Sequence, residues 1–489
     1  MKPVKKPECY PFNRDNLGKN TDPPDQAKYL EQGRSFCHEA DGDNLSSMRL
    51  FPSTWTAPAS VMSALALAAC TPPATNPPPS PVTSGTGCCD AATFAAGLAI
   101  AERYRVSAIA SRRFTHAELW RAITPFTSDT SVSVSEIGRS IQGRELRSVT
   151  FGRGTIRVLL WSQMHGDEST ATMALADIFR FLAEGRGDPL RERLAQRLTV
   201  TFVPMLNPDG AELFQRENAA GIDVNRDGRR LVTPEGRALK TIRDSLRPQF
   251  GFNLHDQGVR TRAGEGGKQA AIALLAPAYD DAKSYNDVRT RARLVAAVIA
   301  HALASDIAGR VAKYDDAFNP RAFGDLMQLW GTSTVLIESG GLPNDPEKQR
   351  LRALNVAGIL AALDAIATGG FAAADQNWYE ALPFNTSGAA DLLVVGGSIV
   401  LPGKPPMAMD LAINFDDPLH RSGGRLREVG DLQAVAALDT LDATGLFLHP
   451  AASAITTRSG RSWLRVGANA AFDIRKGPAI NSELVRRLQ

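Results

Sequence analysis

The chain has 489 residues, of which 43% are hydrophobic and 22% are charged, as in soluble globular proteins rather than disordered or membrane proteins. At this length we expect roughly two to three domains. The formal net charge is only +3, and no cluster of lysine and arginine forms a nucleic-acid footprint, so the composition argues against a nucleic-acid partner.

The cysteines restrict the kinds of metal site that the chain can build. The part after residue 89 contains no thiol, because the five cysteines are Cys9, Cys37, Cys70, Cys88 and Cys89. That part can have neither a disulfide nor a cysteine metal ligand. A metal site there must use histidine, aspartate or glutamate.

The first 98 residues read as three segments without catalytic motifs. Residues 1–47 are polar and aperiodic, and we expect a poorly ordered extension. Residues 48–70 resemble a bacterial lipoprotein signal, with Arg49, an apolar stretch of small residues, and the sequence LAAC ending at Cys70. Residues 71–98 begin with a proline-rich stretch, and we expect them to form a tether.

The signal-like segment determines where we expect the protein to reside. Because such a signal is read at an N-terminus, we expect Met48 to be the true start and residues 1–47 to be a gene-start error. A lipid on Cys70 would hold the protein on the periplasmic side of the bacterial cell envelope, and the apolar stretch is too short to span a membrane itself. If the segment is instead an alanine-rich helix beside a linker, the protein is cytoplasmic.

Strands and helices alternate from residue 99 to residue 370. Buried strands are predicted by four apolar runs rich in β-branched residues, TIRVLLWSQ, RLTVTFVPML, QFGFNLH and TSTVLIES. Helical patterns lie between them, and the last of these helices should open at Asn344, Asp345 and Pro346. We therefore predict an α/β domain with a mixed, mostly parallel sheet and helices on both faces.

The pattern changes after Gly370 to short alternating strands separated by glycine and proline turns. Examples are DLLVVGGSIVLPG, MDLAINF and GRLREVGD. We predict a separate, small, β-rich accessory domain over residues 375–489. Its sequence resembles the small β-sandwich that flanks amidohydrolase barrels, although no barrel is present in this chain.

The four predicted strands all end in polar residues that can carry out chemistry. The first runs into His165 and Glu168, the second into NPDG at residues 207–210, the third into His255, and the fourth into Glu338. In open α/β sheets, ligands bind beyond the carboxyl ends of the strands. We therefore expect these side chains to meet in one site.

Two of these histidines and one glutamate can form a catalytic zinc site. Such a site needs three protein ligands and one open position for water. His165 and Glu168 can reach one ion where a strand turns into a helix, and His255 is the best candidate for the third ligand. Zinc would acidify its water and polarise a carbonyl, and Glu338 is placed to accept and pass on the proton. The predicted cofactor is one Zn²⁺ per chain.

The loop between these ligands contains Arg216, Asn225 and Arg226. A guanidinium group beside a zinc site either stabilises an oxyanion or clamps a substrate carboxylate, and the residues alone leave both roles open. Each arginine taken singly is more often part of a surface ion pair. Likewise, His165 and Glu168 taken alone could be a polar turn at the start of a helix.

The ordered motifs HGDE, NPDG, R-x-N, DVNRD, NLHDQ and IESGG resemble the zinc carboxypeptidase family, the M14 metallopeptidases, over about residues 110–365. The upstream segment EIGRSIQGREL is also similar to that family. The resemblance implies zinc ligands at His165, Glu168 and His255 and a general base at Glu338. It implies that Arg216 polarises the scissile carbonyl, and that Asn225 and Arg226 hold the substrate's terminal carboxylate.

Two departures separate the chain from the digestive members of that family. Those members carry a mobile active-site tyrosine upstream of the base, and here Tyr314 in KYDDAFNPRAFGD is only a loose match. The interval between Glu168 and His255 is also short for them and suits bacterial peptidases and the related deacylases better. No residue that selects the terminal side chain stands out in the sequence.

The resulting functional prediction is a zinc-dependent metallocarboxypeptidase that hydrolyses C-terminal peptide bonds of a peptide or peptide-like substrate with a free carboxylate. A second hypothesis is that the same site hydrolyses a different amide bond. The protein would then be a peptidoglycan stem-peptide amidase or an N-acyl amino acid deacylase. A third is a catalytically silent protein that binds peptides or glycans. The sequence leaves the oligomeric state open.

Overall fold

The structure, a computed structural model, describes residues 91–488. The predicted extension (1–47), the signal-like segment (48–70) with Cys70, and the tether up to residue 90 lie outside the described residues. The lipid anchor and the envelope localisation therefore stay predictions.

The helices of the described part are α1 (Ala91–Arg103), α2 (His116–Thr127), α3 (Thr170–Glu184), α4 (Pro189–Arg197), α5 (Pro208–Leu213), α6 (Pro234–Leu246), α7 (Asp287–Ala304), α8 (Phe323–Leu329), α9 (Gln349–Thr368) and α10 (Asn377–Glu380). Short 3₁₀ turns lie at Val224–Arg226, Gly370–Ala373 and Ala452–Ala454.

The strands up to residue 386 are β1 (Val132–Arg139), β2 (Glu145–Phe151), β3 (Ile156–Ser162), β4 (Leu198–Val203), β5 (Phe250–Asp256), β6 (Arg262–Ala263), β7 (Ile272–Leu275), β8 (Val311–Lys313), β9 (Ser333–Ser339) and β10 (Asn385–Thr386). Those that follow are β11 (Leu392–Val395), β12 (Ser398–Ile399), β13 (Met407–Ala408), β14 (Asp410–Asp417), β15 (Ser422–Gly430), β16 (Thr440–Asp442), β17 (Phe447–Pro450), β18 (Ile455–Arg458), β19 (Arg461–Leu464), β20 (Phe472–Arg475) and β21 (Leu484–Leu488).

An eight-stranded sheet of order β1-β2-β4-β3-β5-β9-β7-β8 forms the centre of the α/β part. The pairs β4–β3, β3–β5, β5–β9 and β7–β8 are parallel. The pairs β1–β2, β2–β4 and β9–β7 are antiparallel. The four strands predicted from apolar runs correspond to β3, β4, β5 and β9, so the predicted mixed, mostly parallel sheet is confirmed.

Helices cover both faces of this sheet, as the continuous apolar runs predict. Val158 and Leu160 of β3 belong to a core cluster shared with α1, α3, α7 and α9. Leu159 and Trp161 of the same strand belong to a second cluster shared with α6 and α8. Because successive side chains of a strand point to opposite faces, β3 is buried on both.

The boundary of the predicted tether is wrong at its end, because α1 begins at Ala91, inside residues 71–98. Phe94 is 3% exposed and joins the core of the α/β part. A Cβ at Gly97 would lie 2.8 Å from the Cα of Ala357, so α1 packs directly against α9 through a glycine. The apolar residues of ATFAAGLAI therefore form a packed helix from Ala91 onwards.

The start of α9 differs from its prediction by three residues. Asn344, Asp345 and Pro346 precede the helix, which begins at Gln349 with Lys348 in the left-handed conformation as its N-cap. Asp345 still caps it, because its carboxylate accepts the backbone N–H groups of three first-turn residues, Gln349, Arg350 and Leu351. Among the described helices, α9 alone is long and apolar enough to cross a membrane, but 89% of its apolar window is buried in the protein.

A β-rich region follows the α/β part, as predicted. It contains a four-stranded sheet of order β15-β14-β11-β16, a five-stranded sheet of order β13-β12-β17-β20-β21 and the hairpin β18–β19. These strands share a core of their own that includes Leu411, Leu426 and Phe472. The resemblance to an amidohydrolase-associated β-sandwich stays a prediction.

The predicted start of the accessory domain at residue 375 is too early. Tyr379 on α10 is 3% exposed within the α/β core, and its hydroxyl accepts the Ala276 N–H at 3.0 Å. β10 then pairs with β6 through Asn385 and Ala263. Residues 375–386 thus pack with the α/β part, because Tyr379 needs a buried site and β10 needs a partner strand.

Candidate active site

The predicted site residues follow three neighbouring parallel strands. Glu338 on β9 stands opposite His255 on β5 in the strand register, and β5 pairs on its other side with β3. Beyond β3, residues 163–169 turn into α3, and this turn contains His165 and Glu168. Because the three strands are parallel, their carboxyl ends meet at one edge of the sheet.

Two glycines allow the turn after β3 to approach its neighbour. A Cβ at Gly166 would lie 2.0 Å from the backbone carbon of Gly210, so only glycine fits at residue 166. Gly210 is itself packed against the side chain of Asn207, which caps α5 by accepting the Gly210 N–H. The glycines of HGDE and NPDG therefore bring the two loops together beside the site.

His165, Glu168 and His255 converge into one buried cluster. The Nδ1 atom of His165 lies 2.7 Å from Glu168 Oε1, and the Nδ1 atom of His255 lies 2.7 Å from Glu168 Oε2. The two Nδ1 atoms are 3.1 Å apart. These residues are 2%, 8% and 2% exposed, and they form a group that could hold a metal ion.

The donor set of this cluster fits zinc. Ligand atoms about 2.0–2.2 Å from one zinc ion lie about 3.3–3.6 Å apart in a tetrahedron. The separations of 2.7 and 3.1 Å seen here are shorter, so these atoms would have to move apart slightly to hold the ion. Two imidazoles and one carboxylate leave a fourth position for water, as catalytic zinc sites require. His165, Glu168 and His255 are therefore the residues that would hold the ion.

Asp223 orients His165, and the sequence interpretation did not assign it a role. Its Oδ1 lies 3.0 Å from His165 Nε2, so an Nε2–H donated to Asp223 leaves the Nδ1 lone pair directed into the cluster. Burial would raise the pKa of Asp223, but His165 and Arg216 outweigh burial and hold that pKa well below its usual range. Its position at the start of DVNRD was the only signal in the sequence.

The protonation of the cluster without metal is divided between its histidines. Burial lowers the pKa of His165, but Glu168 and Asp223 outweigh burial and raise it to about 9. His255, which lacks the second carboxylate, has a lowered pKa because burial dominates. Burial raises the pKa of Glu168, but the two histidines hold it well below its usual range. Metal binding at this cluster would therefore displace a proton.

Asp256 supports the cluster through its backbone. Its N–H donates to Glu168 Oε2 at 3.1 Å, and its side-chain Oδ2 accepts from Thr170 and from the buried ammonium group of Lys348. Lys348 is 2% exposed. This ion pair fixes the end of β5 and hence the position of the neighbouring His255.

Arg216 lies beside the cluster, as the resemblance implies. Its Nη1 atom is 3.2 Å from Glu168 Oε1, and its Nε and Nη2 atoms donate to Asp223 Oδ2 at 3.1 and 2.9 Å. Asp223 therefore holds both His165 and Arg216. The guanidinium group is 39% exposed, so it also faces the cavity over the cluster.

Asn225 and Arg226 lie on a 3₁₀ turn at the edge of the same cavity. Asn225 Oδ1 accepts the Phe323 N–H at 2.9 Å, which ties this turn to the start of α8. Arg226 is exposed, and no described carboxylate forms an ion pair with it. Its guanidinium group is thus available for an external anion.

Glu338 is a buried carboxyl group without partners among the described residues. It is 7% exposed, and neither of its carboxylate oxygens forms a hydrogen bond within residues 91–488. Burial and the nearby Glu168 raise its pKa well above the usual range. A carboxyl group with a raised pKa holds a proton more readily than an exposed glutamate does.

Tyr314 follows β8 and also lines the cavity. The charge of Glu338 and burial raise the pKa of Tyr314 to about 12, so its hydroxyl group is a hydrogen-bond donor at neutral pH. All eight predicted site residues line this one cavity of about 740 Å³. Asn385 and Ser387, from the segment that precedes β11, contribute to its wall.

Comparison with known proteins agrees with the chemistry of this cavity. Residues 126–261 match the zinc carboxypeptidase family, Peptidase_M14. The matched segment includes His165, Glu168 and His255. Glu338 and Tyr314 lie beyond it.

The curated relatives that resemble the chain are carboxypeptidases. Carboxypeptidase SOL1 of Arabidopsis thaliana is 26% identical over 160 residues, which are 29% of this chain and 33% of that protein. The probable carboxypeptidase 2 of Arthroderma benhamiae is 27% identical over 101 residues, 21% of this chain and 19% of that protein. The aligned segments thus span a third or less of the length of these two relatives.

Solved structures that are similar to the chain include two carboxypeptidases. The metallo-carboxypeptidase from Burkholderia cenocepacia has a TM-score of 0.42 at 20% identity, covering 52% of this chain and 70% of that one. Carboxypeptidase A from Helicoverpa armigera has a TM-score of 0.43 at 15% identity, covering 56% of this chain and 81% of that one.

Proposed function

We propose that the protein is a zinc-dependent metallocarboxypeptidase that removes the C-terminal residue of a peptide. The observation that carries the proposal is the position of Glu338, a buried carboxyl group without a partner, opposite the His255 of the three-residue donor cluster. The match of residues 126–261 to the zinc carboxypeptidase family supports it.

The cluster supplies the electrophilic part of the reaction. A zinc ion held by His165, Glu168 and His255 would acidify water and polarise the scissile carbonyl. Asp223 fixes the ring of His165, and Asp256 positions Glu168 through its backbone N–H. These contacts hold the donor atoms in place before any ligand binds.

Glu338 moves the proton. Its carboxylate accepts a proton from the attacking water and then donates it to the leaving amine. Arg216 lies beside Glu168 with its guanidinium facing the cavity, where it stabilises negative charge that develops on the carbonyl oxygen. Tyr314, protonated at neutral pH, offers a further hydrogen-bond donor on the same wall.

Arg226 restricts cleavage to the C-terminal residue, because it binds the free α-carboxylate of the peptide. Its exposed guanidinium has no described carboxylate partner, and Asn225 beside it anchors the start of α8. A guanidinium group donates two parallel hydrogen bonds to the two oxygens of a carboxylate. A C-terminal amide has only one oxygen and cannot accept both. The free α-carboxylate of a peptide is thus the group that this wall recognises.

The test compares peptides with free and amidated C-termini. Incubation with N-acylated dipeptides and longer peptides should release one C-terminal amino acid from each free peptide and none from its amidated twin. Release of the terminal residue from both the free and the amidated peptide would contradict the proposal that Arg226 binds the terminal carboxylate. Release from short N-acyl amino acids alone would favour a deacylase that uses the same site.

The control for this comparison is the Arg226→Lys variant. It keeps a positive charge but loses the planar pair of donors. The free peptide should then bind more weakly, with a higher KM, while metal content stays at the wild-type level. An unchanged KM would mean that the terminal carboxylate of the substrate does not bind to Arg226.

A further inference from the structure

A second polar cavity lies at the opposite edge of the central sheet from the candidate active site. It has a volume of about 460 Å³, and its lining includes Gln249, directly before β5, and Gly331, two residues before β9. His255 and Glu338 lie near the other ends of these two strands. The strand from Phe250 to His255 spans about 17 Å at the usual rise per residue. The two cavities are therefore separate.

Three guanidinium groups and one carboxylate line this cavity, which we call the arginine pocket. Arg243 and Arg247 come from the end of α6, Arg291 comes from α7, and the carboxylate belongs to Asp244. These side chains give the lining a net charge of +2. The C-terminus of α6 adds a partial negative charge of about one half, which is too small to balance it.

Two of the three guanidinium groups have no acidic partner. Arg243 is the paired one, because its Nη1 donates to Asp244 Oδ1 at 3.1 Å. Among the described residues, the Arg291 side chain forms one hydrogen bond, from its Nε to Ser333 Oγ at 3.1 Å. No described carboxylate forms an ion pair with Arg291 or with the exposed Arg247. The free nitrogen atoms of Arg291 are not buried, so both groups are available to an anion that enters the pocket.

Trp330 holds the paired arginine in place. Its carbonyl oxygen accepts from Nη2 of Arg243, and its ring centre lies 5.8 Å from the guanidinium carbon of Arg243. Lys240 on α6 lies over the same ring at 4.7 Å and forms an ion pair with Asp244. The single carboxylate of the described lining is therefore neutralised by Lys240 and Arg243. It leaves the other two guanidinium groups uncompensated.

The backbone of Arg247 is strained at the rim of the arginine pocket. Arg247 ends α6 in the left-handed conformation, with a φ of 47°. Glycine or asparagine usually occupies that position, because other side chains crowd the backbone there. Backbone strain of this kind is found mostly at functional sites. An arginine at this position thus supports a binding role for the pocket.

We propose that the arginine pocket binds a phosphate group, either as the free ion or on a small phosphate monoester. The charge of such a group at neutral pH, close to −2, matches the net charge of the lining. Its oxygens can accept paired hydrogen bonds from Arg247 and Arg291 at once. A single carboxylate carries about half that charge and would leave one guanidinium group uncompensated. This site goes beyond the proposed peptidase function and does not depend on it.

The test follows tryptophan fluorescence of the full chain during titration with sodium phosphate and, separately, with glycerol phosphate. We expect a saturable change at millimolar concentrations, which Trp330→Phe should remove because Trp330 lines the pocket. A change with both compounds identifies a monoester site, and a change with inorganic phosphate alone identifies a site for the free ion. No saturable change with either compound, or the same change with sodium chloride at equal ionic strength, would overturn the proposal.

Two variants test the guanidinium groups themselves. Arg247→Gln and Arg291→Gln should each weaken phosphate binding by about 10- to 100-fold, because each removes charge-assisted donors. Zinc content at the wild-type level shows that the variants are folded. Arg486→Gln, which removes an exposed guanidinium group on β21, is the matched control and should bind phosphate as the wild type does. Equal binding by the wild type and all three variants would contradict the site.

Arg226→Gln separates the arginine pocket from the active-site cavity, where the exposed Arg226 could also bind phosphate. The Trp330 signal should be unchanged in this variant. Loss of the signal in Arg226→Gln, with Arg247→Gln unaffected, would place the phosphate in the active-site cavity and overturn the proposal.

Discussion

Two buried polar clusters of the α/β part differ in whether their atoms have partners. Arg352 on α9 and Asp177 on α3 are each 1% exposed, and their charged groups form two hydrogen bonds with each other. Arg352 also donates to the carbonyl oxygens of Ile109 and Val106, and Asp177 accepts the Val106 N–H. In the cavity, by contrast, Glu338 and Asn253 have no described hydrogen-bond partner.

This difference separates a structural cluster from a functional one. A buried charge whose hydrogen bonds are all made is stable in place and ties together the elements around it. A buried polar group without a partner is costly in the free protein and gains when a ligand supplies one. Glu338, the unpartnered carboxyl group of the cavity, is therefore the group that we assign to proton transfer.

The largest expected effect comes from Glu338→Gln, which removes the proton acceptor and keeps the shape. We expect kcat/KM for a C-terminally free peptide to fall by about 10²- to 10⁴-fold, as for the loss of a general base. Zinc content and thermal stability should not fall. Glu265→Gln, at an exposed glutamate, is the control, and activity within about twofold of wild type is expected. Undiminished activity in Glu338→Gln would remove the assigned base.

The structural cluster is broken by Arg352→Met. Asp177 would then keep the Val106 N–H but lose its only cationic partner among the described residues, and we expect the free energy of unfolding to fall by about 3–5 kcal/mol. Arg350→Met, two residues earlier on α9, removes an exposed ion pair with Asp306 and should cost about 1 kcal/mol or less. Denaturant unfolding of both variants gives the comparison. Equal losses would show that burial does not distinguish the two pairs.

A smaller effect is expected for Asp223→Asn, which weakens the contact that orients His165. Zinc affinity should fall by about 10- to 100-fold, because a partner outside the ligand set has been altered while the three ligands remain. Competition with a chromogenic chelator measures this directly. An unchanged affinity would mean that His165 needs no support from Asp223.

The sequence allowed the sheet and much of the candidate site to be predicted for a physical reason. β3, β5 and β9 are buried on both faces, so they appear as apolar runs that end in polar residues. His165, His255 and Glu338 stand out because they follow such runs. The order of these strands in the sheet, which brings the three residues together, depends on long-range pairing.

Other features of the fold and of the candidate site depend on contacts that no local pattern shows. Asp223 and Asn253 acquire their surroundings from distant segments, and a single polar residue in the sequence does not reveal whether it has a partner. The start of α9 moved by three residues because Asp345 caps the helix from a distance. Residues 375–386 were assigned to the wrong region because Tyr379 is buried by a tertiary contact.

The most direct test of the central claim is the zinc content of the purified chain, measured together with release of a C-terminal amino acid. We expect about one zinc per chain at neutral pH, loss of release on removal of the metal, and recovery on its return. The His255→Ala variant should hold much less zinc and release little amino acid. A chain without bound zinc, or one that releases the terminal residue equally well after its zinc is removed, would contradict the account.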